Sequence, residues 1–264
     1  MNFLLRTHHL CFLLLLLFYA DGASAEERIL EIKVGDTIRQ ALVISPTEKR
    51  AKKKCPLIFV FHGRTGNMHG ASHRMAIHQY RSDAIVVYPQ GLWVDVGRFK
   101  GNGWIMPTPN NEGRDIAFFD VLFEKITREY DIDHQRIYAM GHSNGGGFTH
   151  ALWALRGDMF AAFAPSSSGS GRLWPRIEQQ QPKPILFIAG KQDEIVPIST
   201  TQRCITKAID NNRCRKRKKI DKSTTIYKSA IGADVWAHTH EGGHKFHQDA
   251  LPLIGRFFAK YKKE

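Results

Sequence analysis

Apolar positions along this chain follow two alternating patterns, and their alternation predicts the architecture. Continuous apolar runs such as Pro56-Leu57-Ile58-Phe59-Val60-Phe61, Ala84-Ile85-Val86-Val87-Tyr88 and Pro184-Ile185-Leu186-Phe187-Ile188-Ala189 read as strands buried on both faces. Between them lie segments with a single apolar face. The clearest is 115–130, where Ile116, Phe119, Val121, Leu122, Phe123 and Ile126 mark the inward side of a helix. Residues 71–81, 148–155, 199–211 and a closing segment up to Tyr261 read as further helices, and 136–140, 159–164 and 224–229 as strands. Near the start, residues 29–34 alternate apolar and polar, Gly35-Asp36-Thr37 signals a turn, and 38–45 reads as a second strand. The expectation is an α/β fold: a doubly wound, mostly parallel sheet opened by an N-terminal β-hairpin. Residues 46–54, 92–113, 165–174 and 237–247 read as loops. Of these, 92–113 is rich in Gly, Asn, Pro and Trp and, with 165–174, is expected to shape a cleft. Its Trp93 and Trp104 suit that cleft or the core equally.

No repeat or linker interrupts the pattern, so residues 26–264 are expected to form one catalytic-size domain. Residues 1–25 have the form of a secretory signal peptide. Arg6 precedes a short apolar core from Leu10 to Ala20, and Ala23-Ser24-Ala25 offers a small-x-small cleavage site before Glu26. The run is too short to favour a membrane span, so a secreted or periplasmic protein with no transmembrane segment in its mature chain is expected.

Composition changes the picture in two ways. The net charge is +13, from 38 Lys and Arg against 25 Asp and Glu, which fits a soluble exported protein that can adsorb to anionic polymers or surfaces. The densest basic run, Arg213-Cys214-Arg215-Lys216-Arg217-Lys218-Lys219, lacks interleaved aromatics, so it reads as a solvated loop rather than a nucleic-acid site. Export leaves Cys55, Cys204 and Cys214. Cys204 with Cys214 is the plausible disulfide pair, Cys55 is expected buried at the start of a strand, and no metal-ligand spacing is present.

The candidate chemistry centres on Gly141-His142-Ser143-Asn144-Gly145, which follows an expected strand and precedes an expected helix. That is the context of a nucleophile elbow, where a strained serine needs small neighbours. Serine is a weak nucleophile without a base, and the base in turn needs a carboxylate to hold its tautomer. Asp193 ends a strand, and His244 follows Gly242-Gly243, so the chain order is Ser143, Asp193, His244. Glu194, Asp234 and Asp249 are rival acids, while His238, His240 and His247 share the histidine-rich stretch and read as core or surface residues. The backbone N–H groups of Asn144 and of Arg64, in the His62-Gly63-Arg64 loop, are the expected oxyanion donors.

Several blocks resemble the secreted polyhydroxybutyrate depolymerase and feruloyl esterase-like family of α/β-hydrolases. They are residues 56–63, Val87-Tyr88-Pro89-Gln90-Gly91, residues 136–146, residues 190–197 and Gly242-Gly243-His244. The resemblance spans nearly the whole mature chain. It implies an α/β-hydrolase fold with little or no lid domain, a Ser143–Asp193–His244 triad, a small or polymeric ester substrate and no cofactor. Arg64 stands where the family often has cysteine, Arg114-Asp115 where it has an acidic pair, and Lys245-Phe246-His247 where Trp-Pro-Gly is common. A small serine peptidase, or a basic surface-binding protein with a vestigial triad, are the competing readings.

Overall fold

The computed structural model describes residues 25–46, 54–96 and 99–263. The expected leader, up to Ser24, and most of the 46–54 loop lie outside the described residues. The chain opens on the hairpin β1 (Glu26–Val34) and β2 (Thr37–Ser45), paired antiparallel across the turn at Gly35. There follow β3 (Cys55–Phe61), α1 (Met68–Arg74), β4 (Ile85–Pro89), β5 (Leu92–Val96), β6 (Phe99–Gly103) and α2 (Arg114–Glu129). The second half holds β7 (Ile132–His142), α3 (Asn144–Arg156), β8 (Ala162–Ser166), α4 (Trp174–Ile177), β9 (Ile185–Gly190) and α5 (Ile198–Asn211). It ends with β10 (Cys214–Lys219), β11 (Thr224–Ser229), β12 (Val235–His240) and α6 (Leu251–Lys260).

Among the described residues, ten strands form one sheet in the order β1-β2-β4-β3-β7-β8-β9-β12-β11-β10. The central strands from β4 to β12 run parallel, and antiparallel pairs close both edges. Every residue of β3 is buried because both faces of the sheet are covered. Leu57, Phe59 and Phe61 point into the core beneath α2, α3, α4 and α5, while Ile58 and Val60 point into the core beneath α1 and α6. A continuous apolar run is the consequence of that double burial, and Phe59→Ala would cost about 3–5 kcal/mol. This is the expected doubly wound α/β-hydrolase architecture. No helix among the described residues is long and apolar enough to cross a membrane.

Several expected elements are corrected. The helix read at 71–81 is α1 alone, started earlier because the Asn67 side chain accepts from the Gly70 amide, and followed by a separate helical turn at Ile77–Gln79. The strand read at 159–164 is β8, displaced by a helical turn at Gly157–Met159. Within the supposedly irregular 92–113, β5 and β6 form a hairpin whose glycines serve packing. A Cβ at Gly101 would lie 2.8 Å from the Thr65 side chain, and one at Gly103 would lie 2.7 Å from Asn144 Oδ1. The basic run is a strand rather than a loop. β10 is a sheet edge that pairs its backbone with β11 and buries little, so no apolar pattern marks it. β12 likewise occupies part of the expected 237–247 loop.

The expected disulfide is absent. Cys204 is buried on α5 and its Sγ accepts the Ser170 amide at 3.3 Å, whereas the Cys214 Sγ, at the start of β10, lies 4.0 Å from Asn212 O. Cys55 is buried at the first position of β3, as expected.

Candidate active site

β7 delivers the chain into a sharp turn at Ser143, whose φ of 55° and ψ of −117° lie where a side chain is strained by roughly 1–3 kcal/mol. The turn closes because its neighbours lack side chains. A Cβ on Gly141 would sit 2.3 Å from Gly145 O, and one on Gly145 would sit 2.1 Å from Phe61 O. The Ser143 amide donates to Ser166 O at 2.9 Å, which pins the turn to the neighbouring strand β8. Asn144 then begins α3.

The other two candidates meet Ser143 from the ends of β9 and β12. A Cβ on Gly190, the last residue of β9, would lie 2.3 Å from Gly242 O. That close approach lets the Lys191 amide reach His240 O at 2.8 Å and the Gln192 amide reach Gly242 O at 3.1 Å. The two loops are thereby joined. Asp193 faces the His244 Nδ1 at 2.9 and 3.0 Å, and the His244 Nε2 lies 2.8 Å from Ser143 Oγ. An ionised carboxylate can only accept, so Nδ1–H donates to Asp193 and Nε2 is left to accept from the serine hydroxyl. Burial alone would favour a neutral Asp193. The amide of Val196, the His244 ring and the amide of Ile195 outweigh it and hold the carboxyl below the ordinary carboxylate range.

The rival residues stand elsewhere. Glu194 is exposed. Asp234 is engaged by Lys228 and the Tyr261 hydroxyl, both at 2.7 Å. Asp249 belongs to the turn before α6. His238 Nδ1 meets Thr224 Oγ1 at 3.0 Å, and His247 stacks on His240. No group of three or more His, Cys, Asp or Glu among the described residues is arranged to hold a metal ion.

Gly63 abuts the serine, since a Cβ there would lie 3.5 Å from Ser143 Cβ, and Arg64 follows it. The loop is held by the Thr65 amide donating to Asn102 O at 2.7 Å. It is held also by His62, whose Nδ1–H donates to Gly63 O at 2.7 Å while Nε2 accepts from the Gly91 amide at 2.9 Å. Arg64, Ser143 and Asn144 line a common cleft of about 550 Å³, with Met106, Leu173 and Val196 among its apolar walls. Neither Trp93 nor Trp104 lines it. Trp93 is exposed, and Trp104 is core, with its Nε1 donating to His62 O at 2.9 Å.

Sequence reasoning missed the clasp behind this cleft. The Asn144 side chain pairs with the backbone of Trp104 like a short strand, accepting from its N–H at 2.7 Å and donating to its C=O at 3.0 Å. The next amide, Ile105, donates to the fully buried Asp115 at 2.8 Å, and Asp115 also accepts from Arg39 at 2.8 Å. Arg39 lies over the Phe118 ring. An acid opening a helix just after a glycine-rich stretch was the available signal; its partner lies 76 positions away in sequence. His142 was passed over too. Its ring lies 5.0 Å from that of His244, and burial, then the neighbouring His244, push its pKa down to about 4.

No protein-family profile matches the chain. Among curated sequences it is similar to a probable feruloyl esterase C of Aspergillus niger, at 26% identity over 230 residues covering 79% of this chain and 75% of that one. It is also 28% identical over 237 residues to the probable feruloyl esterase C of Aspergillus flavus, covering 84% and 79%. Among solved structures, an acetyl xylan esterase from Aspergillus awamori superposes with a TM-score of 0.64 at 14% identity, covering 87% of this chain and 99% of that one. The last likeness establishes the fold, and the first two supply the kinship. By fold the chain is an α/β-hydrolase, and by sequence it is similar to feruloyl esterases.

Proposed function

We propose that this protein is an exported carboxylic-ester hydrolase that works through Ser143, His244 and Asp193. The observation that carries the reading is the continuous line from Ser143 Oγ through His244 to Asp193, with contacts of 2.8 and 2.9 Å. In the reaction, His244 Nε2 takes the hydroxyl proton as Ser143 Oγ attacks the ester carbonyl. Asp193 keeps the ring in the required tautomer and supplies the counter-charge to the imidazolium. The carbonyl oxygen, now negative, would accept from the amides of Asn144, at the positive end of α3, and Arg64. His244 then returns its proton to the leaving alcohol. Water, activated by the same histidine, releases the acid and restores the serine.

The relatives' names point to feruloyl esters as substrates, and the proposed cleft would hold the acyl or alcohol group beside Met106 and Leu173. The catalytic domain would span 26–264 after removal of residues 1–25. N-terminal sequencing of exported protein should then begin at Glu26. The exposed basic strand β10 offers the surface for adsorption to anionic polymers.

A fluorophosphonate probe tests the mechanism. It should label the wild-type protein at Ser143, and native protein that resists labelling would remove the nucleophile from this account. Matched nitrophenyl ester and anilide substrates separate an esterase from a peptidase, with hydrolysis expected on the ester arm.

A further inference from the structure

Two clefts open beside Ser143, and Arg64 stands in the wall of both. The cleft of about 550 Å³ that contains Ser143 and Asn144 also carries Arg172 and Arg176. The other, about 360 Å³, lies on the His142 side and carries Arg74. Among the described residues no aspartate or glutamate lines either one. The carboxylate of the hydrogen-bonded line, Asp193, is already engaged by His244 and the amides of Ile195 and Val196. Arg172 is exposed, and the Arg176 guanidinium rests on the carbonyls of Pro109 at 2.7 Å and Thr108 at 3.3 Å. Those carbonyls orient the Arg176 fork without neutralising it. Among the described residues neither Arg172 nor Arg176 has an acidic partner.

We propose that the site takes esters carrying a carboxylate close to the scissile bond, gripped by Arg172 and Arg176. This rests on the ester-hydrolase reading above and narrows its substrate class. A planar guanidinium matches a carboxylate with two parallel hydrogen bonds, and such charge-assisted contacts are about twice as strong as neutral ones. A cleft walled by cations without counter-carboxylates also draws anions in and repels cations, and the net charge of +13 extends the same field outward. Arginines that served solubility alone would have no reason to gather in two clefts beside the nucleophile whose described lining holds no acid.

The carboxylate has two chemical sources, and the test separates them. It can sit on the acyl side, as in a hemi-ester of a dicarboxylic acid, or on the alcohol side, as in an acylated uronic acid. In the first arm, nitrophenyl hemiadipate is compared with nitrophenyl hexanoate. In the second, acetylated glucuronate is compared with glucose acetylated at the same position. One anionic member should exceed its neutral partner by about tenfold in kcat/KM, and rising salt should shrink the ratio. The Arg172→Gln/Arg176→Gln variant, checked for an unchanged melting temperature, should bring that ratio towards one. Equal rates within both pairs would overturn the inference and leave the ester reading standing. A preference that persists undiminished in the double variant would overturn it too. Failure to hydrolyse any of the four esters would instead defeat the ester reading itself.

Discussion

His240 and His244 stand four residues apart and meet opposite surroundings. His240 closes β12, its Nδ1 accepting from the Gly242 amide at 3.1 Å and its ring stacked on His247 at 4.2 Å. Its Nε2 is buried without a partner among the described residues. Burial, then the charges that His247 and His238 would carry, push its pKa down to about 4. His244 has Asp193 on one nitrogen and Ser143 on the other. A histidine among histidines is kept neutral, whereas a histidine beside a carboxylate has the counter-charge that an imidazolium needs. The partner decides the chemistry of the ring, more than its place in the loop.

The comparison breaks most sharply at the serine. Ser143→Ala should lower kcat on a short-chain nitrophenyl ester by about 10⁵–10⁶-fold with an unchanged melting temperature. Asp193→Asn removes the carboxylate that His240 lacks, and it should lower kcat by about 10⁴-fold. His240→Gln should leave kcat within about a factor of three. Equal losses in Asp193→Asn and His240→Gln would erase the distinction between the two rings.

Gly190→Ala tests how the loops are held together. The added methyl meets the carbonyls of Gly242 and Gly243, at 2.3 and 2.6 Å from the ideal Cβ position, so backbone must move. Loss of about 3 kcal/mol or more in denaturant unfolding, together with a fall in kcat, is expected because the Asp193 and His244 loops share those contacts. Normal stability with lost activity would mean that the glycine acts locally rather than as the joint.

The last test is a dependence on acid. His142, His150 and His240 all have pKa values pushed down to about 4, chiefly by burial. Unfolded, each would titrate near 6.5. Between those values the unfolded chain binds more protons, so stability falls as pH drops from about 6.5 towards 4. For His150, wholly buried beside Phe187 with neither ring nitrogen partnered, the loss approaches about 3 kcal/mol. Urea titrations across that range should show a shallower slope in His150→Leu than in the wild type. Parallel slopes would contradict the burial account.

Much of this was legible because it is local. The elbow is five consecutive residues whose small side chains are required by the turn itself, and the buried strands announce themselves as apolar runs. Asp193 and His244 could be chosen because strand ends in a parallel sheet converge on one edge. What was not legible depends on burial that leaves no periodic mark. β10 pairs as a strand while its side chains face water, and β6 is a strand whose glycines make room for Thr65 and Asn144. The supposed Cys204–Cys214 bridge shows the same limit, for closeness in sequence says nothing about which way a thiol faces.

The sequence by itself determined the fold class, the order of serine, acid and histidine, and the strain the serine must bear. Only the tertiary structure decided that the His142 ring lies against that of His244, and that Asn144 is clasped by Trp104 across 40 residues. It decided too that the cleft is walled by arginine rather than tryptophan. The reason is physical. Backbone strain and double-sided burial are properties of neighbours in the chain, whereas hydrogen-bond partners and electrostatic surroundings are set by atoms that only folding brings within 3 Å.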